Sequence, residues 1–188
     1  MQWDLNAWFY LNVEWNNEFL DAVIPYVRNQ FFWVPLYLFL AVFLLFHYGR
    51  KGLIWCVGFL LSFGLADFIS ASLIKPNVGR LRPCNTPELQ DLVHLIVECG
   101  GGLSFPSSHA TNHFALGTFM AITLGKPYPW VRWAGPLWAL LIGYSQVYVG
   151  VHFPGDVLFG GILGSLIGWG VGRVYNRKIG VLHRLVTV

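Results

Sequence analysis

Charge is what this sequence has least of. Asp, Glu, Lys and Arg together make up 11% of its 188 residues, against about 25% in an ordinary soluble domain. With 55% apolar residues and a mean hydropathy of +0.54, the chain reads as an integral membrane protein. Cysteine is also scarce: there are three, with no CxxC pair and no zinc-binding spacing. No basic-then-apolar leader with a small-residue cleavage site opens the chain, because Asp4, Asn6 and Asn12 interrupt its start. There is no internal repeat and no string of polar residues through the apolar runs, which argues against a transporter. The net charge of +3 does not point to nucleic acid, since the basic residues divide between two places.

What the chain does have is aromatic and apolar length. Nine Trp suit side chains lying at headgroup level. Residues 1–28 alternate Trp3, Leu5, Trp8, Phe9, Leu11, Trp15, Phe19, Leu20 and Val23 with Asp4, Asn6, Asn12, Glu14, Glu18 and Asp21. That pattern predicts one or two amphipathic helices lying in an interface rather than crossing it. Five apolar runs follow, at 31–48, 53–74, 109–124, 130–149 and 153–174, each long enough to span or nearly so. Residues 75–106 form a polar segment with Pro76, Pro83 and Pro87 and three consecutive glycines, in which Leu89–Val97 is the one candidate short helix. The expected fold is a single all-α membrane domain over 1–188: a bundle of about five helices with an interfacial N-terminal segment. Gly160, Gly164, Gly168 and Gly172 repeat at every fourth residue of the last run, a face suited to close helix packing.

Lys and Arg set the orientation. Arg50, Lys51, Lys126, Arg132, Arg173, Arg177, Lys178 and Arg184 fall on one side when five spans alternate, eight of the twelve, so that side is expected to be cytoplasmic. Arg28, Lys75, Arg80 and Arg82 fall on the other, and three of these cluster within eight residues against the topogenic trend.

Three polar stretches then meet at the outer surface. One is Lys75-Pro-Asn-Val-Gly-Arg-Leu-Arg82-Pro83. Another is Phe105–His113, reading FPSSHATNH, where proline and serine mark a helix start that sets His109, Asn112 and His113 on one face. The third runs from Ser145 and Gln146 to His152 and Asp156. The sequence resembles the type 2 phosphatidic acid phosphatase family, relatives of the vanadium haloperoxidases and glucose-6-phosphatase. The family pattern is K-x6-R-P, then P-S-G-H, then S-R-x5-H-x3-D. Lys75, Arg82 and Pro83 match the first motif. Pro106, Ser107 and His109 match the second, with Ser108 in place of Gly. Ser145, His152 and Asp156 match the third, with Gln146 in place of Arg. The resemblance covers roughly residues 55–175. Soluble haloperoxidases fit less well than a membrane lipid phosphatase.

The residue types support the same chemistry. A phosphate ester leaves catalysis mostly to positioning and charge. Lys75 and Arg82 supply fixed cations; Ser107, Ser108 and nearby backbone N–H groups complete a cradle. His152 with Asp156 four residues on forms a nucleophile and orienter, and His109 is placed as general acid. The resemblance implies the same roles, with phosphohistidine at His152. No carboxylate cluster accompanies these residues, so no metal or other cofactor is expected. The bland alternative makes His152 and Asp156 an interfacial pair and the cations headgroup anchors.

Expected partners are membrane lipids and a lipid phosphate substrate, with no nucleic acid and no obligatory protein partner. Undecaprenyl pyrophosphate, phosphatidic acid, phosphatidylglycerol phosphate and a lipid A phosphate are the candidates. They imply a bacterial inner membrane with the site facing the periplasm. Gln146 allows three explanations: compensation by Arg80, which is favoured here, altered activity, or a deliberate change. It also keeps open a catalytically impaired binding or scaffold role. Asp67, two turns inward from Lys75, is expected to face a Ser, a Tyr or Arg80. Cys84 and Cys99 share the outer segment, where thiols oxidise, and a bridge there would tether the chain after Arg82. Closing a loop of that size contributes about 3 kcal/mol in chain-entropy terms.

The topology is checked with Gln90→Cys and a membrane-impermeant thiol reagent. Labelling in intact cells is expected; labelling only after permeabilisation would reverse the orientation.

Overall fold

Apolar runs punctuated by Gly, Pro and basic turns condense into helices. The computed structural model, which describes residues 2–183, contains only helices and irregular segments among them. Arg184, counted above with the basic tail, lies outside the described residues. The N-terminal segment forms α1 (Gln2–Phe9), which continues as a π-helical turn over Tyr10–Glu14, and α2 (Glu18–Arg28). Asn17 caps α2 by accepting from the Leu20 N–H at 3.0 Å. The long helices are α3 (Val34–Tyr48), α4 (Arg50–Asp67), α6 (Ser108–Leu124), α7 (Val131–Tyr148) and α8 (Pro154–Lys178), with the one-turn α5 at Lys75–Val78. By length and composition Gln30–Tyr48, Arg50–Leu89 and Pro154–Lys178 can each cross a membrane. α4 runs on through a π-helical stretch, Phe68–Ile74, which carries Lys75 to the end of the bundle.

α6 is the axis, packed against α4, α7 and α8. Its closest approach is to α8, and the glycine stripe explains it. A Cβ on Gly164 would lie 2.1 Å from the Thr111 carbonyl oxygen, and one on Gly168 would lie 2.1 Å from that of Ala115. Backbone is thus laid directly against backbone. At the basic end, Tyr175 Oη donates to the Lys51 carbonyl and Asn176 Nδ2 to that of Ile122. Arg50, Lys51, Arg177 and Lys178 therefore gather at one end, while Lys75, Arg80 and Arg82 belong to the other.

Residues 90–107 do not form the short helix expected at Leu89–Val97; a single 3₁₀ turn, Pro87–Leu89, precedes irregular chain. Asn12 is the physical reason. Its side chain accepts from the His94 N–H and donates to the His94 and Tyr148 carbonyls. Backbone groups that a helix would pair internally are here satisfied by a buried amide. Cys84 and Cys99 are disulfide-bonded and close this segment from the other side.

Gly168→Ala should lower the melting temperature in detergent, since overpacking costs about 1–3 kcal/mol. Gly170→Ala, whose added methyl meets open space, serves as control, and equal melting of the two would contradict this account of the α6–α8 contact.

Candidate active site

The connection between α7 and α8 is a tight turn that presents a histidine inward. Gly150 takes φ +79°, and the Gln146 carbonyl accepts from the His152 N–H at 3.2 Å. His152 is 2% exposed. Its Nδ1 lies 3.3 Å from Ser104 Oγ and 3.6 Å from Asp156 Oδ2. Ser104 Oγ in turn donates to Asp156 Oδ2 at 2.5 Å. A hydroxyl has one hydrogen, so Ser104, giving its own to Asp156, accepts from Nδ1–H. This chain fixes the tautomer and leaves the Nε2 lone pair without a hydrogen bond among the described residues. Sequence reasoning placed His152 and Asp156 in direct contact and missed Ser104, which precedes the FPSS motif by one residue and carried no motif signal.

Asp156 is fully buried. Besides Ser104 it accepts from the Phe153 N–H at 2.9 Å and from Arg80 Nη1 at 2.7 Å. Arg80 Nη2 reaches Asp4 Oδ2 at 2.6 Å, and its guanidinium lies 4.0 Å over the Phe153 ring. Arg80 is thereby spoken for by two carboxylates and a ring. That corrects the expectation that it stands in for the guanidinium missing at position 146. Asp4 also accepts from the Gly155 N–H, so the first helix helps close the site.

Neither Lys75 nor Arg82 forms an ion pair among the described residues. Lys75 Nζ donates to the Leu103 carbonyl at 3.0 Å. Arg82 Nη1 donates to the carbonyl of Cys99, whose disulfide to Cys84 holds that strand of chain in place, while Arg82 Nε is buried with no partner. Ser107 caps α6 by accepting from the Ala110 N–H, and its own N–H donates to the Asp156 carbonyl. Ser108 Oγ is buried and unpartnered. Gln146 is fully buried, its amide nitrogen turned to Ile142 and Ser145 of its own helix.

His109 stands at the polar end of a cavity of about 540 Å³ that also meets Ser108, Asn112, Tyr37, Phe59 and Leu116. The cavity lies between α3, α4 and α6 and is otherwise almost wholly apolar. Asp67 opens onto it, but its partner is Asn112 Nδ2 at 2.9 Å rather than the Ser, Tyr or Arg80 expected, because α4 packs on α6. His113 donates Nδ1–H to the His109 carbonyl and packs edge-on to Trp138. Burial, opposed by the hydrogen bonding toward Asp156 and reinforced by the Lys75 and Arg82 charges, pushes the His152 pKa down to about 4.

Lys75 and Arg82, neither ion-paired among the described residues, act electrostatically on a histidine with one free ring nitrogen, while Ser108 and His109 line an otherwise largely apolar cavity. The fold and this arrangement define a transmembrane phosphatase of the PAP2 type. The sequence pattern of the PAP2 superfamily matches residues 53–179, and the chain belongs to that superfamily. Over 159 residues it is 36% identical to the lipid A 4'-phosphatase of Bacteroides thetaiotaomicron, covering 82% of this chain and 69% of that protein. It is 34% identical to the lipid A 4'-phosphatase of Porphyromonas gingivalis, covering 83% and 66%. The chain thus spans about two-thirds of the length of these curated relatives. The transmembrane PAP2 type phosphatidylglycerolphosphate phosphatase of Bacillus subtilis matches with a TM-score of 0.69 at 28% identity, over 92% of this chain and 84% of that one.

Histidine NMR provides a check. The His152 signal, identified by its loss in His152→Gln, should report a neutral imidazole at pH 6. Because the folded-state pKa lies below the usual 6.5, stability should fall as pH drops from about 6.5 to 4. An imidazolium at pH 6 would contradict the buried arrangement.

Proposed function

We propose that this chain hydrolyses the phosphate ester of a membrane lipid, without a metal, through a phosphohistidine on His152. The observation that supports this most is that Lys75 and Arg82, without an ion pair of their own among the described residues, act on the buried His152, while His109 and Ser108 open onto an apolar cavity. A lipid phosphate has that shape: an anionic head and an apolar tail. Lys75 and Arg82 bind the phosphoryl oxygens, with Ser107, Ser108 and the N-terminal N–H groups of α6 beside them. His152 Nε2 attacks phosphorus; the N–P bond forms as the bond to the lipid oxygen breaks. Asp156, acting through Ser104, stabilises the positive ring. His109 gives its proton to the leaving oxygen, then takes one from the water that cleaves the N–P bond. The two lipid A 4'-phosphatase relatives favour a lipid A phosphate as substrate over undecaprenyl pyrophosphate, phosphatidic acid and phosphatidylglycerol phosphate. We place the site on the periplasmic side of a bacterial inner membrane, as the distribution of Lys and Arg favours. A silent scaffold, suggested by Gln146, is the weaker reading, because the relay from Nδ1 through Ser104 to Asp156 is intact.

Phosphate release by purified protein from these four lipids in mixed micelles tests the proposal. Turnover should be highest with the lipid A phosphate, persist in excess EDTA, be inhibited by orthovanadate, and vanish in His152→Ala. His109→Ala should impair monoesters more than the pyrophosphate, whose leaving group needs less protonation. Chelator inhibition reversed by Mg²⁺ would refute a mechanism that relies on cationic side chains alone.

A further inference from the structure

The cations at the site do not end with Lys75 and Arg82. Arg28, the last residue of α2, turns toward the same place and donates from Nε to Gln146 Oε1 at 3.4 Å. It lies within electrostatic reach of Arg82 and of His109. Burial, and after it the Arg82 guanidinium, work against the Arg28 charge. No carboxylate pairs with it among the described residues. Asp4 and Asp156 hold Arg80, and Asp21 is taken by His94 and Tyr148. Like charges drawn partly out of water, with no acid between them, are unfavourable until an anion arrives.

Gln146 shows how the guanidinium is aimed. Its amide nitrogen is used within α7, which leaves Oε1 facing Arg28. Among the described residues only Nε of Arg28 is occupied, so both terminal nitrogens, the bidentate edge of the fork, remain for a ligand. An Arg at position 146 would push its charge against that of Arg28; a neutral acceptor supports it instead. Gln146 therefore acts through Arg28 rather than on phosphate, and Arg28 sits upstream of the residues that match the superfamily, 53–179.

We infer that Arg28, carried by the N-terminal helix α2 and oriented by Gln146, is a third phosphate-binding cation that supplies the guanidinium the family pattern carries at position 146. This rests on the phosphatase reading and adds to it a residue from a different part of the chain.

Direct calorimetric titration of the full chain in detergent with orthovanadate, a phosphate mimic, tests it without requiring the lipid substrate. Arg28→Gln should weaken orthovanadate binding by roughly ten- to a hundredfold, the worth of a charge-assisted contact. Arg28→Lys, a charge without the fork, should fall between. The double variant Arg28→Gln/Gln146→Arg should regain most of the affinity, since the guanidinium returns from α7. Unchanged affinity in Arg28→Gln overturns the inference, even if turnover falls. So does a loss of affinity that accompanies a lowered melting temperature and that Gln146→Arg does not restore, because Arg28 is then only a structural support. The phosphohistidine mechanism proposed above fails separately, if His152→Ala still hydrolyses lipid phosphates. It survives if His152→Ala is dead while Arg28→Gln binds orthovanadate like the parent.

Discussion

The site end of the bundle is fastened to one buried carboxylate. Asp156 has no exposed surface, and a carboxylate out of water is tolerated only when donors surround it. Its donors come from three parts of the chain: Ser104 from the irregular segment, the Phe153 N–H from the start of its own helix, and Arg80 from the stretch after α5. Its backbone carbonyl takes the Ser107 N–H, which brings in the cap of α6. Arg80 then reaches on to Asp4 and draws α1 against the same point. Loss of any one of these partners leaves a buried carboxylate short of a donor, so His152, the cap and the N-terminal helix are held as a unit. His152 owes its tautomer to this unit, because Ser104 can accept from Nδ1 only while Asp156 accepts from Ser104.

How much of this was legible depended on range. The five long helices could be read because span length and basic turns are local signals, and the structure begins and ends them within a few residues of the apolar runs. The placing of Lys75, Arg82, Ser107, His109, His152 and Asp156 toward one end of the bundle could be read because their motifs are short and stand at or near helix ends. Choices of partner across the chain could not. Arg80 and Gln146 looked like substitutes for one another in sequence, yet Arg80 is bound by two acids and Gln146 faces Arg28. Leu89–Val97 carries enough apolar residues for a helix, and Asn12, 82 positions away from His94, overrides that propensity. Asp67 found Asn112, which the sequence placed near the site without naming its partner.

The N-terminal segment shows where a periodicity argument stops. Its alternation of Trp and acids predicts an amphipathic element with a polar face, but periodicity does not say what that face meets. In the structure much of it turns inward: Asp4 and Asn12 are buried at 1% and 0% exposure, each fully engaged. Asp21 joins His94 and Tyr148, and Arg28 reaches Gln146. The count of basic residues had already put Arg28 on the same side as Lys75 and Arg82. Its distance in sequence hid the rest.

Acids and cations are sorted across His152, and in the proposed reaction this sorting gives the chemistry its direction. Asp156 and Ser104 stand behind His152 at Nδ1 and favour a positive ring; Lys75 and Arg82, without an ion pair among the described residues, act on it as positive charges and favour an arriving anion. In the proposed reaction, phosphorus held between them meets a ring nitrogen whose charge is stabilised from behind as its own is drawn from in front. The residues responsible for this lie on the stretch from α4 to α8 that matches the superfamily. The apolar cavity is different: α3, outside that stretch, supplies one of its walls, including Tyr37. The proposed grip on the tail thus draws partly on a helix that the proposed chemistry does not use. On the proposed reading, a change in α3 alters which lipid fits without disturbing the relay that orients His152.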